Sequence, residues 1–367
     1  MAWLRRSLLG AVALLLPTGT TTTASCPTGP WLSQGQLDVT HAACGAVGDG
    51  GTDDSGAVER CLRIAANCSV PLFFPPGMYY LPSTVVVAKE RGVPSSVSLM
   101  GSRAIAAPGA YEVGAGAASI LCKCAHCSCD ATSPRGPVLQ FGSCLSALGS
   151  GGYNLESLDI VGNELGLLVE CAAALSMERV RVRAGQYDGS SMSAAMIAVN
   201  SYELYFWGCL FTFVVHDLHP GTCNYTASTA CVGVPSVILR GANASSFGPT
   251  APAGILYSYM VAFEKTLFQY GGVQYQQLTD LPEARVVWLR FTTCFSESSS
   301  TPLLDFVSAP WVRPGFFGVE GVTISDYSNW DEMSRGPILQ LNSSVVVLDA
   351  LTVQASSGGT GHPVRAT

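Results

Sequence analysis

A short unit recurs along the middle of the chain, and it restricts the folds that the chain can adopt. Its copies read Leu155-Glu-Ser-Leu-Asp-Ile, Met177-Glu-Arg-Val-Arg-Val and Tyr202-Glu-Leu-Tyr-Phe, and they begin 22 and 25 residues apart. A looser copy begins at Phe263. One copy is too short to bury an apolar face by itself, so units with this period are expected to stack into a solenoid.

Alternating side chains within the copies predict short β-strands. In the first copy Leu158 and Ile160 are expected to point inward and Asp159 outward, because successive side chains of a strand face opposite sides. One repeat later Val180 and Val182 take the inner positions. The outer positions there fall to three arginines, Arg179, Arg181 and Arg183. Leucine-rich repeats have a similar period, but their leucine and asparagine spacing is missing, so a β-helix is favoured.

A second sequence unit supports the same interpretation. Arg135-Gly-Pro-Val-Leu-Gln-Phe returns two hundred residues later as Arg335-Gly-Pro-Ile-Leu-Gln-Leu, and Pro302-Leu-Leu-Asp-Phe keeps the core of the pattern. Recurrence of this unit, like that of the first, favours a solenoid of short strands.

The segment Leu37–Pro82 differs from the repeats. It begins with a short strand at Leu37–Thr40, and side-chain oxygens of Asp53 and Asp54 are expected to cap a following helix. That helix carries an apolar stripe at three- and four-residue spacing. The run Leu72-Phe-Phe then predicts a buried strand that ends at a Pro-Pro-Gly turn.

Two motifs in this segment carry a family resemblance. Gly45-Ala-Val-Gly-Asp-Gly-Gly-Thr-Asp-Asp-Ser-Gly-Ala-Val, followed by Val70-Pro-Leu-Phe-Phe-Pro-Pro-Gly, resembles the N-terminal signature of the pectate-lyase-like superfamily, in its rhamnogalacturonase and epimerase-like branch. The resemblance implies an all-β fold, a single-stranded right-handed parallel β-helix with an N-terminal capping α-helix. It covers about the first fifth of the mature chain, and the repeats carry the prediction further.

The first 24 residues are typical of a signal peptide. Arg5 and Arg6 precede the apolar run Leu8–Leu16, and small residues precede a cleavage site before Ser25. The alternative is a membrane anchor, which needs about 20 apolar residues, and this run is far shorter. We therefore expect a secreted, extracellular protein without a membrane partner.

Composition limits the partners further. Acidic residues outnumber basic ones by 26 to 19, which disfavours nucleic acid and anionic membranes as partners. All 14 cysteines follow the predicted cleavage site, and in an oxidising compartment we expect disulfides whose pairing the sequence does not determine. Four Asn-x-Ser/Thr triplets predict a glycoprotein, at Asn67, Asn224, Asn243 and Asn342.

The expected organisation is a single domain. Residues 1–24 form the signal peptide, 25–36 a lead-in, 37–356 the β-helix domain and 357–367 a flexible tail. Within the domain we expect the N-terminal cap at 37–90, a Cys- and Gly-rich insertion at 102–137, and a glycosylated loop at 218–252.

Several clusters could bind a metal, and each has a simpler explanation. The acids Asp49, Asp53 and Asp54 fit turn and capping chemistry. The run Cys122-Lys-Cys-Ala-His-Cys-Ser-Cys has zinc-binding side chains, but its one-residue spacing and the oxidising compartment favour disulfides. His216-Asp-Leu-His could supply an acid–base pair or two metal ligands, but solvated loop residues explain the run better. We predict no bound metal.

The outward face of the repeats is the best candidate for a site. Asp159 and Arg181 should lie on adjacent rungs of one sheet, and Asp188 should follow in the next loop. We predict these three as catalytic residues, either as two carboxylates for glycoside hydrolysis or as an arginine beside carboxylates for elimination. The alternative is a solvated ladder of ion pairs.

The leading functional hypothesis is a lyase or hydrolase that acts on an extracellular or cell-wall polysaccharide containing uronates. No cofactor is required by these residues, and Ca²⁺ would enter only with lyase chemistry. The chain lacks the Asn-Thr-Asp and Arg-Ile-Lys motifs of the polygalacturonases, so the resemblance carries the fold and not the catalytic residues. The rival hypothesis is a non-catalytic β-helix that binds glycans or builds an extracellular coat.

Overall fold

The computed structural model describes residues 26, 32–33, 35–87, 96–102, 118–130, 132–143, 151–184, 194–213, 235–240, 259–269, 271–277, 286–297, 304–308, 316–320, 323–328, 339–341, 345–349, 352–355 and 364–366. The predicted signal peptide at residues 1–24 lies outside the described residues.

The chain forms thirty short strands in this part, with one α-helix, α1 (Ser55–Cys68), and one 3-10 turn (Ala125–Cys127). The strands before the predicted repeats are β1 (Leu32–Ser33), β2 (Gln36–Asp38), β3 (Asp49–Asp53), β4 (Leu72–Phe74), β5 (Gly77–Tyr80), β6 (Val85–Val87), β7 (Val97–Gly101), β8 (Ser119–Cys122) and β9 (Leu139–Phe141). The middle strands are β10 (Gly151–Glu156), β11 (Asp159–Gly162), β12 (Leu165–Glu170), β13 (Ala173–Glu178), β14 (Arg181–Ala184), β15 (Ala194–Val199), β16 (Tyr202–Trp207), β17 (Leu210–Phe213), β18 (Val237–Arg240), β19 (Tyr259–Glu264), β20 (Leu267–Gln269) and β21 (Val273–Gln277). The last strands are β22 (Val286–Thr292), β23 (Cys294–Glu297), β24 (Leu304–Ser308), β25 (Phe316–Glu320), β26 (Thr323–Ser328), β27 (Leu339–Leu341), β28 (Val345–Asp349), β29 (Thr352–Ala355) and β30 (Val364–Ala366).

Three sheets take one strand each from every turn of the chain, and this arrangement is a parallel β-helix. Sheet A has the order β1-β2-β4-β7-β10-β13-β16-β19-β22-β25-β28. Sheet B has the order β3-β5-β8-β11-β14-β17-β20-β23-β26-β29, and sheet C the order β6-β9-β12-β15-β18-β21-β24-β27-β30. All of these neighbours pair in parallel except β1 with β2. The β-helix predicted from the repeats is thereby confirmed.

The predicted sequence unit is the corner between two sheets and not one strand. In the copies at Leu155, Met177 and Phe263 the first residues end a sheet A strand, the last begin a sheet B strand, and a left-handed residue such as Ser157 (φ 57°) or Arg179 (φ 54°) lies between them. The copy predicted at Tyr202 is wrong in register, because Tyr202–Phe206 lies within one sheet A strand and Phe206, not Tyr202, pairs with Met177. The N–H of Ser157 donates to the carbonyl of Glu178 on the next rung, and Arg179 donates likewise to Trp207. These hydrogen bonds between successive turns satisfy the backbone polar groups of the corner. They also stabilise the left-handed backbone conformation, which costs about 1–2 kcal/mol per residue.

The core confirms the predicted alternation. Leu158, Ile160, Val180 and Val182 all belong to the one large buried apolar cluster inside the solenoid. Parallel register places like residues above one another, so the rings of Phe206, Phe263 and Phe291 stack in turn.

The stack of phenylalanine rings is tight. Phe206 and Phe263 have centroids 4.9 Å apart, and Phe263 and Phe291 5.2 Å apart, with nearly parallel planes. A second column places Phe211 over Phe268 at 5.9 Å. Aromatic pairs of this kind stabilise by about 0.5–1.5 kcal/mol beyond the area they bury.

Two buried thiols line the inside of the A–B corner. Cys209 donates to the carbonyl of Met177 at 3.4 Å, and Cys294 to that of Phe263 at 3.3 Å. Thr266, on the rung between them, donates to the carbonyl of Phe206 in the same way. Burial raises the pKa of each thiol to about 12, so both cysteines act here as small core residues that satisfy a carbonyl.

Helix α1 follows the glycine-rich segment, and its buried residues join the core of the first rungs. Disulfides Cys44–Cys61 and Cys26–Cys68 tie it to the preceding chain. One detail of the predicted N-cap of helix α1 is wrong. Asp53 does accept from the N–H of Ser55 at 2.9 Å, but Asp54 turns its carboxylate back to the loop that precedes the helix.

The structure also revises the segment limits drawn from sequence. Strand β8 lies inside the expected insertion at 102–137, where it pairs with β5 and β11 as a regular member of sheet B. Strand β30 lies inside the expected tail at 357–367 and pairs with β27. The solenoid therefore extends beyond residue 356. Among the described residues, no helix is long and apolar enough to cross a membrane.

Lys123 is a buried amine at the corner after β8, with 1% of its surface exposed. Its Nζ donates to Thr84 Oγ1 at 3.1 Å and to the Pro137 carbonyl at 3.0 Å, both uncharged acceptors. Burial lowers the pKa of Lys123 from 10.5 to about 8. Burial therefore makes this amine lose its proton more easily in the folded protein than in the unfolded chain.

We predict that Phe263→Ala lowers the free energy of unfolding by about 3–5 kcal/mol, because it removes a ring stacked on both faces and leaves a cavity. Urea unfolding followed by tryptophan fluorescence measures the change. Met260→Ala is the matched control, since this side chain is 48% exposed on the same strand and should cost less than about 0.5 kcal/mol. Equal effects of the two changes would contradict the stacked core.

We predict that stability rises between pH 8 and pH 10.5 through Lys123. In that interval the unfolded chain binds a proton at this amine that the folded chain does not, so unfolding becomes less favourable as pH increases. The gain approaches roughly 3 kcal/mol, the value of about two pKa units or slightly more. Lys123→Met should remove this part of the pH dependence, and parallel urea titrations of both proteins at pH 8 and 10 test it. An unchanged difference between the two pH values would refute the assignment.

Candidate functional site

The structure brings two of the predicted catalytic residues together. Asp159 and Arg181 are register partners in sheet B, and Arg181 Nη2 forms an ion pair with Asp159 Oδ2. Arg183 also reaches this carboxylate, with Nη2 2.7 Å from Oδ2 and Nε 3.1 Å from Oδ1. Arg179 lies at the corner instead and binds other acids. Asp188 lies outside the described residues.

Asp159 and Arg181 are on the outer side of sheet B, as predicted, but they are not on an open surface. Asp159 is 3% exposed, and the Arg181 side chain is 10% exposed. Both oxygens of the carboxylate are occupied by guanidinium groups. This geometry suits a link between rungs, while the assignment of Asp159, Arg181 and Asp188 as catalytic residues stays a prediction.

The acids of the glycine-rich segment form turn contacts. Asp54 accepts from the N–H groups of Val47 at 2.7 Å and Gly48 at 3.0 Å. Asp49 accepts from Gly51 and Thr52, and these bonds, chiefly those from the two backbone N–H groups, lower the pKa of Asp49 to about 2. The loop therefore needs no cation to explain its acids.

The cysteine-rich run is closed by two interleaved disulfides, Cys122–Cys127 and Cys124–Cys129. Its thiols are thus not zinc ligands, in agreement with the disulfide interpretation. The ring of His126 packs against the backbone of Gly50, where an added Cβ would lie 3.0 Å from Nδ1. Within the ranges the structure describes, no three His, Cys, Asp or Glu residues are grouped to hold a metal.

Other predicted features are only partly described. Asn67 is exposed on α1, a position where a glycan can be attached. The triplets at Asn224, Asn243 and Asn342, and the His216-Asp-Leu-His run, lie outside the described residues.

The outer side of sheet A is the candidate site that the structure adds. Its outward side chains alternate with core residues and are exposed or half-buried on every described rung from β10 to β22. We call this surface the sheet A face, and it consists of Asn154, Glu156, Ser176, Glu178, Tyr205, Trp207, Ala262, Glu264, Arg290 and Thr292, with Arg179 and Lys265 at its corner. The outer sides of the other two sheets differ, since Thr212 and Gln269 on sheet B and Leu168, Ile197 and Ile238 on sheet C are buried.

Register arranges the sheet A face in two columns along the solenoid axis. One contains Asn154, Ser176, Tyr205, Ala262 and Arg290, and the other contains Glu156, Glu178, Trp207, Glu264 and Thr292. Neighbouring strands of a sheet are about 4.8 Å apart, so side chains in each column repeat at that distance.

Two aromatic residues lie at the centre of the face, among charges. Tyr205 is 40% exposed, and its hydroxyl donates to Glu264 Oε2 at 2.8 Å. Partial burial and the neighbouring Glu264 carboxylate raise the pKa of Tyr205, which keeps the hydroxyl a donor. The ammonium of Lys265 lies 5.3 Å from the centre of the Trp207 ring, a cation–π contact.

Arg179 joins the two acids on the other side of Trp207. Its Nη2 binds Glu156 Oε1 and lies 3.1 Å from Glu178 Oε1. The Glu178 side chain remains 49% exposed. The face thus combines one exposed and one half-buried aromatic ring with carboxylates that can accept from hydroxyls and with fixed cations, all within a few rungs.

The sequence contained a signal for this face. A glutamate follows the last inward residue in three copies of the repeat, as Glu156, Glu178 and Glu264. Trp207 takes that place in the remaining repeat once the register aligns Phe206, and not Tyr202, with Met177. This pattern is not recognised when each copy is interpreted as one strand. The chain turns a corner within the copy, so the glutamates belong to sheet A and the following arginines to sheet B.

Comparison with known proteins finds only distant similarity, and only among solved structures. No family model and no curated relative matches the chain. Among solved structures, a Geobacillus virus protein (open reading frame 18) is 11% identical over 87% of this chain and 58% of its own, with a TM-score of 0.44. The Streptococcus pneumoniae surface adhesin PfbA is 12% identical over 87% and 96%, with a TM-score of 0.37. A Paenibacillus alginate lyase is 9% identical over 80% and 97%, with a TM-score of 0.30. The chain spans little more than half of the viral protein.

We predict that Asp159→Asn lowers the free energy of unfolding by about 3–5 kcal/mol, because it leaves two guanidinium groups on a covered surface without their counter-charge. Thermal unfolding at constant salt measures the loss. Glu178→Gln breaks an exposed ion pair and should cost less than about 1 kcal/mol. If the two variants were equally stable, the Asp159 cluster would not be a buried structural link.

Proposed function

We propose that this protein is a secreted glycan-binding β-helix that holds an extended polysaccharide on the sheet A face. The observation that supports the proposal is the contrast between the three outer surfaces. The sheet A face presents Tyr205 and the half-buried Trp207 between carboxylates, whereas sheets B and C bury outer side chains such as Thr212, Gln269, Leu168, Ile197 and Ile238.

The residue types suit a sugar ligand. A pyranose ring has an apolar face of C–H groups and a rim of hydroxyls, and an exposed aromatic ring offers the matching flat apolar surface. Glu178 and Glu264, on either side of Trp207, can accept hydrogen bonds from hydroxyls, and such charge-assisted bonds are stronger than neutral ones. The ligand class is therefore a hydroxyl-rich polymer.

The columns favour an extended polymer over a small sugar. Equal spacing along the axis repeats similar acceptors from rung to rung, so several successive residues of one chain can bind at once. Disulfides tie the first rungs together and agree with an oxidising, extracellular location.

Glycoside hydrolysis is a second candidate function, and the distance between Glu178 and Glu264 favours it. Glu178 and Glu264 are two strands apart, or about 9.6 Å at the backbone, near the upper end of the range for the two carboxylates of inverting glycosidases. Against it, Glu178 is exposed and paired with Arg179, whereas an acid that protonates a leaving group is usually held in an apolar pocket.

Ca²⁺-dependent elimination does not fit the residues described. Ca²⁺ takes about six to eight oxygen ligands. The two neighbouring carboxylates of the sheet A face, Glu156 and Glu178, are both engaged by Arg179, and Asp159 is engaged by two arginines. We therefore derive no step through this ion.

We predict that Trp207→Ala weakens glycan binding by about tenfold, because stacking on an aromatic side chain is worth about 1–3 kcal/mol in nucleic-acid complexes and about 1.4 kcal/mol corresponds to a tenfold change in affinity. Affinity electrophoresis against a panel of neutral and acidic polysaccharides identifies the ligand, and calorimetry gives the constants. Val86→Ala is the matched control, since Val86 is exposed on sheet C. The proposal fails if no polysaccharide binds the wild-type protein, or if both variants bind alike.

The hydrolase candidate is tested on the ligand found in this way. We expect reducing ends to appear over time only if Glu178 and Glu264 act as an acid–base pair, and each change to Gln should then reduce the rate by about 10²–10⁴-fold. Binding without product, in wild type as in both variants, would leave a binding protein and exclude the hydrolase.

A further inference from the structure

The ion cluster on sheet B carries more positive than negative charge. Arg181 and Arg183 both pair with the single carboxylate of Asp159, which leaves one net positive charge. In the part of the chain that the structure describes, no other carboxylate pairs with either arginine. A buried charge destabilises the folded protein unless it is neutralised, so binding of an anion near this cluster would be favourable.

The hydrogen bonds of the two arginines show where the anion would bind. Arg183 uses Nε and Nη2 as a fork on Asp159. Arg181 uses only Nη2, and its Nε is buried without any hydrogen-bond partner although nine-tenths of the side chain is buried. A guanidinium fork matches the geometry of planar or tetrahedral oxyanions, and the Nε–H of Arg181 is the buried donor of this cluster that no described group uses.

The surroundings restrict access to one side. The register neighbours of Asp159 and Arg181 on the flanking strands are Ile120 and Leu210, which are apolar and accept no hydrogen bond through their side chains. Arg183 is the exposed member of the cluster, with 23% of its side chain open to solvent. An anion can therefore approach at the Arg183 end and share both guanidinium groups.

We propose that Arg181 and Arg183 form an oxyanion-binding site, with Asp159 as the residue that positions both guanidinium groups. The ligand is a sulfate or carboxylate group, and its natural source would be an acidic substituent on a glycan. Only this last step rests on the proposed function, because the site itself follows from the charge surplus and the unpartnered nitrogen.

Calorimetric titration of the full protein with sodium sulfate, against sodium chloride at the same ionic strength, tests the site. Sulfate also stabilises folded proteins without binding, so saturation and variants are needed to identify a site. Arg183→Gln leaves the neutral Asp159–Arg181 pair and should weaken sulfate binding by at least about tenfold. Arg63→Gln, which removes an exposed arginine of α1, should bind sulfate like the wild type.

Two results would overturn the site: no saturable sulfate binding by the wild type, or equal binding by Arg183→Gln and Arg63→Gln. If Arg183→Gln does not fold, sulfate binding is measured with Arg183→Lys, because lysine keeps the positive charge but lacks the two parallel N–H donors of the guanidinium group. Unchanged sulfate affinity in Arg183→Lys would then contradict the proposal.

Polymers identify the source of the oxyanion. A sulfated galactan, a polyuronate and an unsubstituted galactan are compared on wild type, Arg183→Gln and Trp207→Ala. If the wild type prefers the sulfated galactan and Arg183→Gln loses that preference, the ligand group is a sulfate ester. If the same holds for the polyuronate, the ligand group is a carboxylate. Binding of free sulfate with no such preference would mean an adventitious ion only and would overturn the glycan assignment. Trp207→Ala should retain sulfate binding, so failure of the sheet A face and failure of this site are distinguishable.

Discussion

Parallel register between successive turns is the constraint on which the rest of the structure depends. Each strand hydrogen-bonds to its counterpart one turn away, so a residue is placed above the residue with the same position in the next repeat. In the core this brings Phe206, Phe263 and Phe291 into one stack. At the corners it lets a left-handed residue such as Arg179 donate to the turn above it. The backbone cost of each corner is thus offset by a bond that only the stack provides.

The same register decides how charges are used. On sheet B it sets Asp159 opposite Arg181 and diagonal to Arg183, so one carboxylate pairs with two guanidinium groups. Because Asp159 and Arg181 are buried, solvent screens these charges less than it would on an open surface. On sheet A it sets Glu178 and Glu264 on either side of Trp207, where the side chains are exposed or half-buried. Identical spacing therefore gives a covered link between rungs on one surface and a partly open row of charges on the other, because the difference in exposure changes the strength of each electrostatic contact.

Much of the fold could be predicted from local pattern. Alternation assigned Leu158, Ile160, Val180 and Val182 to the core, and the repeat length placed Asp159 beside Arg181, since both depend only on short-range periodicity and on stacking. The site was harder to predict. The repeat was interpreted as one strand, so the glutamates before each corner were not recognised as a separate exposed column, and Asp159 was expected on an open groove although it is 3% exposed.

The sequence by itself indicated that the chain stacks as a β-helix, which side chains face the core, and that the cysteine-rich run from Cys122 to Cys129 forms disulfides in preference to a metal site. Only the tertiary structure decided the pairing of Cys122 with Cys127 and Cys124 with Cys129, and which outer surface stays open. The physical reason is that alternation and period are properties of adjacent residues. Disulfide pairing and exposure depend instead on which distant parts of the chain pack together, and identical alternation patterns occur on covered and open surfaces alike.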